Sequence, residues 1–167
     1  MSTESRSSVT PISLHRDDGE ARWFLDFLAT IKASTETTNG RVAIIEHYAA
    51  RGAGSPLHVH HREGEWFYVL DGALTVWAGG QVIEAPTGSF VYGPPGIPHT
   101  FTVASPEARF LVGLEPAGFE GFVRALSEPA PRLTLPPATN QPPDPERMVA
   151  LAAEYGIEIL GPPGIPS

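Results

Sequence analysis

The sequence predicts an all-β fold, a double-sheet sandwich or barrel of short strands followed by a short helical extension. Gly 17 and Pro 18 together make about 21% of the 167 residues, against roughly 12% in an ordinary globular chain. Apolar residues still reach 41%, enough for one core, so the excess of Gly and Pro reads as tight turns rather than disorder. Short apolar stretches recur between those turns, and no long helical pattern separates them, which excludes βαβ units.

Residues 1–20 are rich in Ser and Thr with little periodic apolar content, and are expected to form a mobile tail. Order should begin near Trp23. Trp23, Leu25, Phe27, Ala29 and Ile31 share one parity while Asp26, Thr30 and Lys32 take the other, the pattern of one half-buried strand. Thr37-Thr38-Asn39-Gly40 then supplies an Asn-Gly hairpin turn before a second strand, Arg41 to Ala49. Further strands are expected at Trp66–Leu70, Ala73–Ala78, Gln81–Ala85, Phe90–Tyr92, His99–Val103 and Arg109–Glu115. The β body is thus placed at residues 21–116 and the extension at 117–167. Within the extension, apolar residues at 119, 122, 123 and 126 form a helical stripe. Seven prolines in 129–145 predict an extended segment lying along a surface or bridging to a neighbour. Asp144-Pro145-Glu146 is a helix start, Met148, Leu151, Ala152 and Tyr155 its apolar face, and Gly156 its stop. Both helices are too short to stand alone, so they should pack on the β body or on a second subunit.

Eleven basic residues against 19 acidic give a net charge of −8, and Lys32 is the single lysine. That balance argues against a nucleic-acid partner, which requires clustered Lys and Arg. No apolar run is long enough to span a bilayer, and the N-terminal residues show no secretory pattern, so a cytoplasmic location is expected. With no cysteine, disulfides, a thiolate nucleophile and thiolate-bound zinc are all excluded.

Function therefore turns on the six histidines. In a strand His58 and His60 point to the same face, roughly 7 Å apart at the backbone, close enough to converge on one ion. Glu65 opens the next strand on the parity of Phe67 and Val69. If that parity faces inward, it is an acid in an apolar pocket, where it must be paired, protonated or bound to a cation. A Pro/Gly turn, Gly93-Pro94-Pro95-Gly96, delivers His99 to a strand start with Phe101 and Val103 behind it. Three imidazoles and a carboxylate make a site for one divalent first-row metal, Ni, Fe, Mn, Co, Cu or Zn. Four ligands on an octahedral ion leave two positions for substrate or O2.

These two stretches resemble the paired motifs of the cupin superfamily. Gly52, His58, His60, Glu65 and Gly72 fill the first motif in order. Gly88, Pro94, Gly96 and His99 fill the second, with Val103 where an asparagine is usual. The 15 residues between the motifs match the short spacing of small bacterial members. Flanking segments, among them Leu114 to Phe122 and Pro143 to Arg147, are similar to single-cupin proteins of the quercetin 2,3-dioxygenase-like kind. The resemblance implies a jelly-roll barrel (the cupin double-stranded β-helix) with His58, His60, Glu65 and His99 as metal ligands. It also implies an oxygenase that opens an enolisable phenolic ring such as a flavonol with O2, releasing carbon monoxide, with Glu65 taking the hydroxyl proton. Two other activities stay open: non-oxidative cyclase, isomerase or lyase chemistry on a polyketide or keto acid, and small-molecule binding without turnover. A role in secondary metabolism fits the first two.

His61 should point away from His60 to the surface, and Glu63 is a rival carboxylate on the parity of Glu65. His47 and His15 read as structural or solvated. Phe67, Trp77, Phe90, Tyr92 and Phe101 are expected mainly in the core, some of them lining the pocket. Trp66 and Tyr68, on the opposite parity to Glu65, are candidates for sheet packing in a homodimer.

Overall fold

The computed structural model describes residues 10–138 and 143–167. Residues 1–9 of the expected tail and 139–142 of the proline-rich segment lie outside them. Along the described residues the elements are β1 (Glu20–Phe24), β2 (Phe27–Ala33), α1 (Thr35–Thr38), β3 (Ala43–Ala50), β4 (Pro56–His60), β5 (Gly64–Asp71), β6 (Ala73–Ala78) and β7 (Gln81–Pro86). They continue with β8 (Phe90–Gly93), β9 (His99–Val103), β10 (Glu107–Glu115), α2 (Phe119–Ala125), β11 (Glu128–Pro129), α3 (Pro145–Glu154) and β12 (Ile157–Pro163). The strands form two antiparallel sheets, one ordered β11-β1-β2-β3-β10-β5-β8 and the other β12-β4-β9-β6-β7. Period-two alternation points one face of each sheet inward. Phe27, Ile45, Leu74 and Phe110 are almost wholly buried between them, each contributing roughly 1.5–3 kcal/mol by leaving water.

The β class and strands β5 to β10 agree with the sequence reading, whereas β11 and β12 of the extension are not among the expected strands. Three local expectations need correction. Trp23 to Ile31 is not one strand: the chain reverses at Leu25, whose φ is 52°, and Phe24 pairs with Phe27. Paired residues share a face, so both phenyl rings point inward, and the single alternation ran across two strands. The Asn-Gly pair does not close a two-residue hairpin. Ser34 N–H donates to Thr37 Oγ1 at 2.9 Å, the one-turn helix α1 forms, and Asn39 stops it in the left-handed conformation at φ 53°. β2 and β3 do pair antiparallel on either side of it. Order also begins before Trp23. The Lys32 ammonium donates to the carbonyls of Arg16 at 2.7 Å and Asp18 at 2.5 Å, holding that segment against β2.

The extension folds back on the β body. Trp23 Nε1 donates to the Thr134 carbonyl at 2.8 Å, laying the proline-rich stretch along the surface. α2 buries Phe122 and Val123, α3 buries Ala152, and β12 adds a strand beside β4. Glu120 anchors α2. Its buried carboxylate accepts from Thr35 N and Oγ1 at 2.5 and 2.6 Å and from Gly118 N at 2.8 Å. A buried acid is tolerated when its oxygens are bonded in this way.

Gly72, which ends the first histidine-bearing motif, turns β5 into β6 with φ at 82°. A Cβ there would also run into the Glu107 carbonyl and lie 2.6 Å from Ser105 Oγ. Gly72→Ala should therefore destabilise the protein by about 1–3 kcal/mol. A drop in urea midpoint with an unchanged m-value would register it, and an unmoved midpoint would contradict it.

Candidate metal centre

His58 and His60 occupy β4, His99 opens β9, and the register pairs His58 directly with His99. Glu65 enters from β5 in the facing sheet, on the inward row with Phe67 and Val69. One ligand-type atom from each of the four lies within 4.8 Å of the others, and all four residues are buried. His58 Nε2 stands 3.2 Å from His60 Nε2. Glu65 Oε2 is 3.1 Å from His60 Nε2 and 3.9 Å from His58 Nε2, and it also contacts His99 Nε2. Ligands about 2.1 Å from a first-row ion and mutually cis on an octahedron stand about 3 Å apart, close to most of these separations.

The orientation of each ring is set from behind. His58 Nδ1 donates to the Pro56 carbonyl at 2.7 Å, and His99 Nδ1 to the Ile97 carbonyl at 2.9 Å. With the proton fixed on Nδ1, the Nε2 lone pair faces the cluster. Behind His60 stands Glu63, 2% exposed, with Oε2 3.6 Å from Nδ1. Neither atom has a hydrogen-bond partner among the described residues, although both are sealed from solvent. Glu63 is thus not a rival ligand but the carboxylate behind His60, and Arg62 holds its other oxygen at 3.1 Å. Two sealed atoms left a few tenths of an ångström from bonding, behind a ring that faces three other donors, fit a divalent ion at Nε2. Such an ion would draw an Nδ1 proton toward Glu63.

Protonation follows burial and proximity. Burial, helped by neighbouring His99, lowers His58 to about 3, so that ring is neutral. Burial alone would also lower His60, but Glu65 and then Glu63 outweigh it and raise the ring to about 9. Burial alone would raise Glu65, yet His60 and His99 hold it well below the ordinary carboxylate range. A metal ion held at His60 Nε2 would have to displace a proton from that ring.

The cluster opens into a cleft of about 560 Å³, open solvent at its mouth included. Phe101 lines it, together with Phe27, Phe119, Phe122 and Met148. Phe67 is a core residue, buried against Phe101 with ring centroids 5.4 Å apart, while the remaining three aromatic residues are not fully buried. Trp77 is half-buried on β6, away from the cleft. Phe90 and Tyr92 are 62% and 55% exposed, outside the barrel on β8 rather than in its core. β8 alternates in the opposite sense, with Val91 and Gly93 inward, so the aromatic parity there belongs to the outer face. His61 is exposed and pairs with Glu158 at 2.8 Å. His47, expected to be structural or solvated, is buried at the cleft wall.

Two measurements follow. Metal binding to the metal-free protein should release about one proton, so apparent affinity should rise about tenfold per pH unit between about pH 6 and pH 8. Calorimetric titrations in buffers of different ionisation enthalpy read this directly, and a pH-independent affinity would contradict it. Glu63→Gln should weaken metal binding about 10–100-fold while leaving the circular-dichroism spectrum unchanged; unaltered affinity would show that Glu63 does not act on His60.

Residues 44–113 match the family model for the cupin domain (Cupin_2). A quercetin 2,3-dioxygenase of Bacillus subtilis (strain 168) is 29% identical over 127 residues, which cover 76% of this chain and 38% of that protein. The chain therefore spans well under half the length of that curated relative. Among solved structures, an RmlC-like cupin from Shewanella frigidimarina NCIMB 400 superposes with a TM-score of 0.58 at 16% identity, covering 67% of this chain and 96% of that one. KdgF from Halomonas sp. gives 0.52 at 21% identity, over 57% and 84%. At these identities the two structures speak to the fold alone. Two facing antiparallel sheets, both histidine motifs in register and a cupin-domain match over residues 44–113 that spans them show a cupin fold, in a chain similar to quercetin 2,3-dioxygenase.

Proposed function

We propose that the protein is a metal-dependent dioxygenase, quercetinase-like, acting with O2 on a flavonol or related enolisable phenol. The observation that carries this reading is a three-histidine, one-carboxylate cluster, two of whose members, His58 and Glu65, line a cleft otherwise walled chiefly by aromatic and aliphatic side chains. One divalent first-row ion, held by the Nε2 atoms of His58, His60 and His99 and by Glu65, would supply Lewis acidity and O2 chemistry.

The protein residues perform the rest. Glu65 Oε2 is engaged by the histidines, while Oε1 has no hydrogen-bond partner among the described residues and is not sealed off. That oxygen is the acceptor for the proton of the substrate's enol hydroxyl. Glu65 is held ionised, so that oxygen carries no proton of its own at neutral pH and can accept one. Phe101, Phe119 and Phe122 offer faces and edges to a flat ring and keep water from the enolate. The Pro56 and Ile97 carbonyls hold two imidazoles in place, so no ring has to reorient when substrate arrives.

The test is to load the metal-free protein with Ni, Fe, Mn, Co, Cu or Zn in turn and follow O2 uptake with quercetin and a set of enolisable phenols. Uptake with at least one metal is expected. His58→Ala should retain little metal, and Glu65→Gln at saturating metal should lower the turnover rate by roughly 10²-fold or more. Absence of uptake with every metal, together with substrate turnover under argon, would replace this reading with non-oxidative cyclase, isomerase or lyase chemistry.

A further inference from the structure

His47 takes no part in the chemistry above, yet it lines the same cleft as His58, Glu65 and Phe101. It sits on β3 in the inward row between Ile45 and Ala49, and is 4% exposed. Its ring is clamped, stacked on Phe110 with centroids 5.4 Å apart and met edge-on by Phe27 at 5.2 Å. Nδ1 reaches the Ile45 carbonyl, two residues back, at 3.4 Å. His58 and His99 use the same local device to aim Nε2 into the metal cluster. In His47 that nitrogen has no hydrogen-bond partner among the described residues, and it is not sealed off.

A purely structural role does not account for this arrangement. Leucine would fill a similar volume among Phe27, Phe101 and Phe110 without carrying an unpaired nitrogen into apolar surroundings. Burial lowers the His47 pKa to about 4, outweighing the Ile45 carbonyl and the Glu65 charge, so the ring is neutral at neutral pH. With a proton on Nδ1, Nε2 is a fixed acceptor at an otherwise aromatic wall. His47 lies level with Phe110 of β10, whereas Glu65 lies level with Leu114, four residues further along the same strand. That offset is roughly 13 Å of backbone along the strand, which sets the two residues at different levels of the sheet.

We propose that His47 is a substrate-binding residue whose Nε2 accepts a hydrogen bond from a hydroxyl that a multi-ring aromatic substrate carries away from its metal-binding end. This assignment rests on the enolisable-phenol reading of the cleft, and it narrows the substrate class to polyhydroxylated aromatics rather than simple enols.

The test is anaerobic binding to the metal-loaded protein, using quercetin and 3-hydroxyflavone. The second probe keeps the enol and its neighbouring carbonyl but lacks the other hydroxyls. His47→Leu should weaken quercetin about tenfold while leaving 3-hydroxyflavone within about twofold of wild type. His47→Gln, whose amide oxygen can accept, should recover part of the loss, and both variants should hold as much metal as wild type. Equal weakening of both probes, no change with either, loss of metal from His47→Gln, or a wild-type protein that binds neither probe would overturn the assignment. Because no turnover is involved, the dioxygenase reading fails separately. Quercetin bound without oxygen but stable in air would remove the oxygenase while leaving the His47 contrast intact.

Discussion

Carrying three imidazoles and a carboxylate into the dry interior of a small β body is costly unless every polar atom has a partner. The solution begins with two backbone carbonyls, Pro56 and Ile97, each two residues before a histidine, which take the Nδ1 protons and commit the opposite nitrogens to one point. His60 lacks that local partner and depends on a carboxylate instead, so its charge state is bound to Glu63 behind and Glu65 in front. The site is therefore electrostatically unequal, with one ring protonated and one neutral at neighbouring positions of a single strand.

The two sheets divide the work. The five-stranded sheet presents the histidines, because β4 and β9 pair at His58 and His99. The seven-stranded sheet presents Glu65 and the aromatic floor, because β3, β10 and β5 share an inward row. The extension then supplies the remaining wall, with Phe119 and Phe122 from α2 and Met148 from α3. Glu120 ties that wall to α1 through two hydrogen bonds from Thr35. Ligand-facing surface thus comes from both sheets and from the helices, so a change in any one of them alters the shape of the cleft.

Much of this was legible in the sequence, for an identifiable reason. His58, His60 and Glu65 share an inward face through the two-residue period of strands, and His99 follows a turn whose prolines and glycines announce it. What escaped was tertiary. The reversal at Leu25 carries no glycine, so Trp23 to Ile31 reads as one alternating strand. On β8 the aromatic residues occupy the outward parity, a choice that only pairing with β5 decides. Glu63 was visible as a nearby acid, but its place behind His60 depends on how the chain enters β5. His47 carried no signal at all: an alternating apolar strand with one histidine looks the same whether that ring meets core or cleft.

β12 lies beside β4, with Ile157 opposite His60 and Ile159 opposite His58. The backbone of the histidine-bearing strand is therefore completed by residues nearly a hundred positions later in the chain. During synthesis on the ribosome, β4 emerges long before its last neighbour and waits as an open edge, exposed to mispairing.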